Sequence, residues 1–354
     1  MDHQTKSTLN QLRRIKILNP AAPNRSTGLI NGESSGILNW NDVPYPSFYR
    51  TYKELSTNFW IPDEVDMKPD VQGYRDLSGK EKEAYDATIG LLATLDSPQT
   101  RFMSGAAEYL TDPSAQTDSI IIAQQEAIHN ESYSYVLSSV TGLEDQKRIF
   151  DIARTTPTII RRNQPIMDAY DAFLTERTPE SMIKALVQSS ILEGIGFYGA
   201  FGFFYGLAHQ NRMTGSAKII SFINRDELVH TKFVTELIRG ILAENPGFNT
   251  DALTEYVQTA YRDAVQMESN WSEEIYNGID WLDVNDMTDY VKYRANKMLG
   301  MLGLDKLFPE ATNENSMPWI RAYVDQFTGT KGDFFETTID AYKRINNDNG
   351  FDDL

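Results

Sequence analysis

Gln125-Glu126-Ala127-Ile128-His129-Asn130-Glu131-Ser132-Tyr133 is the stretch on which the reading of this chain turns. On a helix, Glu126 and His129 are three apart and Tyr133 lies four further on, so all share one face. The spacing returns in Asp226-Glu227-Leu228-Val229-His230, and these two pairs use two of the chain's four histidines. Each pair can present one carboxylate and one imidazole to a metal from a single helix. Two such pairs, joined by a carboxylate from each of two further helices, make a dinuclear site inside a four-helix bundle. The pattern predicts an all-α fold.

A lone Glu-x-x-His is more often a surface pair than a metal ligand. Here both pairs follow apolar runs: Ile120, Ile121, Ile122 and Ala123 before the first, Ile219, Ile220, Phe222 and Ile223 before the second. Carboxylates in such surroundings carry a large desolvation cost unless paired or metal-bound. The two remaining carboxylates are expected on partner helices. Asp96, in Ala93-Thr94-Leu95-Asp96-Ser97, and Glu193, in Ser190-Ile191-Leu192-Glu193-Gly194, are isolated acids in apolar stretches. Both halves then share one plan, a carboxylate helix followed by a Glu-x-x-His helix. Four carboxylates balance two divalent cations, and without metal they should take up protons.

Composition narrows the chemistry. The 354-residue chain has a hydrophobic fraction of 41%, enough for a core. A net charge of -17 argues against nonspecific nucleic-acid binding and against anionic membrane surfaces. With no cysteine, a metal must be held by carboxylate and imidazole, a set that suits iron, manganese or zinc. Met1 to Arg14 lacks an apolar run, so a cytoplasmic protein is expected. The stretch from Ala185 to Gln210 is long and apolar enough to span a membrane. Glu193, Gln188, Ser189, Ser190 and several glycines within it predict a buried bundle helix instead. Gly194-Ile195-Gly196-Phe197-Tyr198-Gly199 matches a dinucleotide-binding pattern, but no strand precedes it. Close helix packing accounts for those glycines better than a nucleotide does.

Along the chain, residues 1–45 read as a polar, irregular N-terminal arm, 46–332 as one domain and 333–354 as a tail. Ser78 with Glu81 predicts the capped start of a helix running past Asp96, with Pro98 requiring a kink or local repair. Asp112-Pro113 reads as a turn before a helix over 117–139. One or two helices are expected over 144–176, single helices over 180–209 and 216–244, and two or three more over 250–328.

Asp96, Glu126-x-x-His129 with Tyr133, Glu193 and Asp226-Glu227-x-x-His230 together resemble the radical-generating small (beta) subunit of class I ribonucleotide reductase, bacterial type. Asn58-Phe59-Trp60-Ile61-Pro62 is similar to that family's Phe-Trp-x-Pro, and the resemblance spans roughly residues 40–345. It implies a ferritin-like four-helix bundle with additional helices, holding two iron or two manganese ions. Asp96, Glu126 and His129 would hold the metal nearer the radical, and Glu193, Glu227 and His230 the other. Tyr133 falls at the position of the radical-bearing tyrosine, with Phe197, Phe201 and Ile223 resembling its apolar pocket. Asp226, suited to accept a ligand imidazole N–H, would link His129 to Trp60 at the start of an electron path. Tyr342, after Asp333-Phe334-Phe335-Glu336, would relay the radical. A flexible tail ending in Phe351 and Leu354 would dock on the large catalytic subunit. A homodimer is implied, with a flavodoxin-like activator in the dimanganese case. The scaffold also admits a di-metal oxygenase or oxidase, or a ferritin-like metal store; neither gives Trp60, Tyr133 and a docking tail a joint purpose.

Overall fold

The computed structural model describes residues 11–312, 317 and 320. Eleven α-helices run through them: α1 (Pro46–Thr57), α2 (Lys68–Asp76), α3 (Gly79–Ala107), α4 (Pro113–Val140), α5 (Leu143–Thr155), α6 (Pro157–Glu176), α7 (Pro179–Ile191), α8 (Phe197–His209), α9 (Thr214–Glu244), α10 (Asp251–Tyr276) and α11 (Val284–Leu302). A π turn, Leu192–Gly196, joins α7 to α8. No strand occurs among the described residues, and one isolated bridge pairs Ile30 with Leu110.

The central bundle is α3, α4, α7 with its continuation α8, and α9. It forms because these segments are apolar over wide faces, and one continuous cluster of buried side chains results. The start of α3 follows its sequence signal. Ser78 Oγ accepts from the Glu81 N–H at 3.3 Å and the Glu81 carboxylate accepts from the Ser78 N–H at 2.8 Å. Pro98 leaves α3 unbroken, and the nearby Ala93 carbonyl accepts from Ser97 Oγ and Asn130 Nδ2.

Two boundaries differ from expectation. Asp112-Pro113 is not a turn ahead of the helix but its first residues: Asp112 caps the N–H groups of Ser114 and Ala115, and Pro113 occupies the first helical position. Residues 143–176 form two helices that meet at Thr156, within the one or two expected. The single helix expected over 180–209 is interrupted by the π turn, and the Pro179–His209 run is a core element whose most apolar window is 94% buried. Two helices, α10 and α11, occupy the described part of 250–328.

Residues 11–45 lack helix but are fastened to the bundle. Leu12 N–H donates to the Arg177 carbonyl, Ile15 N–H to that of Glu108, and Thr111 N–H to that of Leu29. Ser26 Oγ donates to Asp112 at 2.5 Å, and Leu29 N–H to the Glu244 carboxylate at 2.8 Å. The arm ties the α3–α4 loop to the far end of α9.

Candidate metal centre

All six residues singled out as metal ligands meet in the middle of the bundle, and none is exposed. Asp96 comes from α3, Glu126 and His129 from α4, Glu193 from the π turn, and Glu227 and His230 from α9. Their donor atoms fall into two overlapping sets, each within 4.8 Å: Asp96, Glu126, His129 and Glu227, then Glu126, Glu193, Glu227 and His230. The sequence reading gave Glu126 to one metal and Glu227 to the other. The geometry places both carboxylates in both sets, because each lies opposite the other helix's histidine.

Both imidazoles point the same nitrogen inward. His129 Nδ1 is 3.0 Å from Glu227 and 3.7 Å from Glu126. His230 Nδ1 is 3.0 Å from both Glu126 and Glu227, and 3.7 Å from Glu193. The outer nitrogens are held across the helix pair: His129 Nε2 lies 3.3 Å from Asp226 Oδ2, and His230 Nε2 lies 2.9 Å from Gln125 Oε1. Asp226 and Gln125 are the residues immediately before Glu227 and Glu126, so each Glu-x-x-His helix orients the imidazole of its opposite. Gln125 was not picked out from sequence, although its position matches that of Asp226. Gln99 is a second addition: its amide nitrogen Nε2 donates to Glu193 Oε1 and to Ser189 Oγ, and Tyr170 donates its hydroxyl to Gln99 Oε1.

The electrostatics fit a cation-binding cavity. Both oxygens of Asp96 and of Glu126, and one each of Glu193 and Glu227, make no well-aligned hydrogen bond despite full burial, although imidazole nitrogens lie 3.0 Å from Glu126 and Glu227. Burial, then the charge of Glu126, pushes the Asp96 carboxyl well up; burial, then Glu193, does the same to Glu227. Burial would raise Glu126 too, but the imidazoles of His129 and His230 beside it hold it below the usual value. Burial opposes protonation of His230, but Glu126 and Glu193 outweigh it and push its pKa up to about 10. Without a cation the site must hold protons to balance its own carboxylates, which is the expected behaviour of a ligand set. Four carboxylates and two imidazoles suit two iron or manganese ions.

Tyr133 lies one turn beyond His129 on α4 and is fully buried, with the Asp96 carboxylate beside its hydroxyl. Burial, then the neighbouring Asp96 carboxylate, drives its phenol far above its ordinary pKa. Phe197, Phe201 and Ile223 are buried as expected, with the two phenyl rings stacked at 5.6 Å. Trp60, also buried, donates its indole N–H to Asp226 Oδ2 at 2.7 Å and stacks on His129 with centroids 6.2 Å apart. One carboxylate oxygen thus joins Trp60 to a candidate ligand. Tyr342, Phe351 and Leu354 lie outside the described residues.

Of the glycines in the dinucleotide-like pattern, Gly194 and Gly196 lie in the π turn and Gly199 in the first turn of α8. A Cβ on Gly194 would meet Met298 Sδ at 2.3 Å, and one on Gly199 would meet Glu268 Oε2 at 3.2 Å. They serve close packing, as the sequence reading expected.

Comparison with known proteins places these features in one group. The sequence profile of "Ribonucleotide reductase, small chain" matches residues 37–316. A ribonucleoside-diphosphate reductase subunit beta from Halalkalibacterium halodurans is 40% identical over 347 residues, covering 98% of this chain and 100% of the relative. One from Treponema pallidum is 31% identical over 318 residues, covering 89% of this chain and 90% of that protein. The ribonucleotide reductase R2 subunit from Clostridium botulinum superposes with a TM-score of 0.85 at 32% identity, covering 89% of this chain and 99% of that one.

Proposed function

The chain belongs to the ribonucleotide reductase small-chain family, as the small subunit of a class I enzyme with a ferritin-like all-α fold, and from that premise we propose how its centre works. Asp96, Glu126 and His129 would hold one metal ion and Glu193, Glu227 and His230 the other, with Glu126 and Glu227 belonging to both donor sets. Iron or manganese bound there would supply the power, drawn from oxygen or an oxygen-derived oxidant, to remove one electron from a buried phenol. Tyr133 gives up that electron together with its hydroxyl proton, for which the Asp96 carboxylate is the neighbouring acceptor. Burial keeps water and reductants from the resulting tyrosyl radical.

A small subunit works with a large catalytic subunit, and the radical serves that partner's reduction of ribonucleotides to deoxyribonucleotides. Trp60 and His129, bridged by Asp226, form the first span of the electron path outward, and Tyr342 in the tail forms the last. The arm (1–45) and the bundle domain (46–332) belong to a cytoplasmic homodimer, and the tail (333–354) docks on the large subunit. A dimanganese form would call on a flavodoxin-like activator.

The observation that carries this reading is the pair of overlapping donor sets beside a buried phenol that neighbours Asp96. The test is to load the metal-free chain with iron or with manganese, add oxygen, and in the manganese arm also a reduced flavodoxin. Electron paramagnetic resonance should show a tyrosyl radical with at least one loading. Tyr133→Phe should bind the same metals and show no such signal. A comparable tyrosyl signal in that variant would move the radical to another residue, and two bound metals without any radical would favour a different di-metal oxidase.

A further inference from the structure

Glu193 differs from the other candidate ligands in its backbone: it alone sits on a π turn, Leu192–Gly196. Such a turn holds an extra residue and has poorer hydrogen-bond geometry than an α turn. If it slipped back to α-helix, the segment on one side would rotate by about 100° relative to the other, the angle of one helical residue. Glu193 and the α8 residues after it could not both keep their places. Something must hold the turn open.

Two buried guanidinium groups grip it from opposite helices. Arg162, on α6, donates Nη2–H to the Gly196 carbonyl at 2.6 Å, and Arg294, on α11, donates Nε–H to the Gly194 carbonyl at 3.2 Å. Neither arginine is paired with a candidate ligand. Arg162 pairs with buried Glu268 and bonds Asn163 Oδ1 at 2.8 Å, while Arg294 lies 3.4 Å over the Tyr198 ring. Arg162 is 5% exposed and Arg294 1%, so burying these charges is worthwhile only where their bonds are specific. Gly194 also lets α11 approach the turn, since a Cβ there would meet Met298 Sδ at 2.3 Å.

We propose that Arg162 and Arg294 are positioning residues: they hold the π turn open and thereby set Glu193 for metal uptake at the Glu193, Glu227 and His230 side. This rests on the dinuclear reading above. The side chain of Glu193 is held separately, by Gln99, so the arginines act on its backbone and Gln99 on its carboxylate.

The test uses the full metal-free chain titrated with cobalt(II) alone, followed by calorimetry and by visible absorption of the bound ion. The variants are Arg294→Gln and the double change Arg162→Gln with Glu268→Gln, which removes both charges of the buried pair together. The wild type should bind two ions. Each variant should bind one ion as before and the second on the order of 10–100-fold more weakly, with an altered absorption band, the size typical of lost support behind a ligand. Arg294→Lys, which restores a cationic donor, should recover part of the affinity and of the band. If Arg294→Gln does not fold, Arg162→Lys carries the test, since it keeps the charge but cannot reach Gly196, Asn163 and Glu268 at once. Folded variants with lower melting temperatures but an unchanged band and unchanged binding would overturn the proposal. A wild type that failed to bind two ions would instead overturn the dinuclear reading.

Discussion

At the scale of single residues, the centre is built on a crossed arrangement that sequence spacing only half reveals. Glu126, His129, Glu227 and His230 are legible because three-residue spacing fixes which side chains share a helix face. Asp96 and Glu193 are legible because an acid in an apolar run demands an explanation. Gln125 was passed over: an amide next to a ligand carries no signal until the opposite helix brings His230 within 2.9 Å. The crossing also has a consequence for metal content. Glu227 belongs to both donor sets and Glu193 to one. Glu227→Ala should therefore reduce bound metal towards zero, whereas Glu193→Ala should leave about one ion per chain by the overlap of the two sets. Metal analysis of the purified variants decides it, and equal losses would show that Glu227 is not shared.

At the scale of elements, local chemistry announces helix starts but not helix interiors. The α3 start was readable because Ser78 and Glu81 form a reciprocal cap. Asp112-Pro113 was misread as a turn because the same dipeptide also starts a helix, and only the apolar face that follows separates the two. The π turn was invisible, because the residues that secure it, Arg162 and Arg294, stand on other helices. Ser78→Ala should cost about 1 kcal/mol in chemical denaturation, the usual loss for a cap of this kind. Glu81 makes a sharper case, with pH as the variable. Arg212 first, with Trp281 and Ser78 assisting, lowers its carboxyl from 4.5 to about 2 despite partial burial. A depressed carboxyl stabilises the fold above its unfolded value and loses that contribution as pH falls through its folded value. The destabilisation caused by Glu81→Gln should be full at pH 7 and shrink as pH drops from 4.5 towards about 2. A penalty independent of pH would mean that the carboxylate charge plays no part.

At the scale of the whole molecule, the described bundle accounts for the candidate centre, while association is assigned to the tail. The sequence run Asn346-Asn347-Asp348-Asn349-Gly350 is polar throughout, so on the proposed docking Phe351 and Leu354 would be the anchors for the large subunit. Each contributes about 1.5–3 kcal/mol if fully buried, against the entropy of ordering the segment. Removing residues 347–354 should leave metal content and the Tyr133 radical unchanged while greatly weakening association, as measured by titrating one subunit with the other. Full turnover by the truncated chain at ordinary concentrations would refute this. The N-terminal arm imposes a different constraint, one of timing. Leu29 is bound to Glu244 across 215 positions of sequence, and contacts of such separation form late. On a ribosome working at 5–20 residues per second, the strap must wait roughly 10–40 s for its anchor to be made. The arm's bonds to Glu108, Thr111 and Asp112 have their partners long before that, so the arm can seat on the α3–α4 loop first and be fastened to α9 only later.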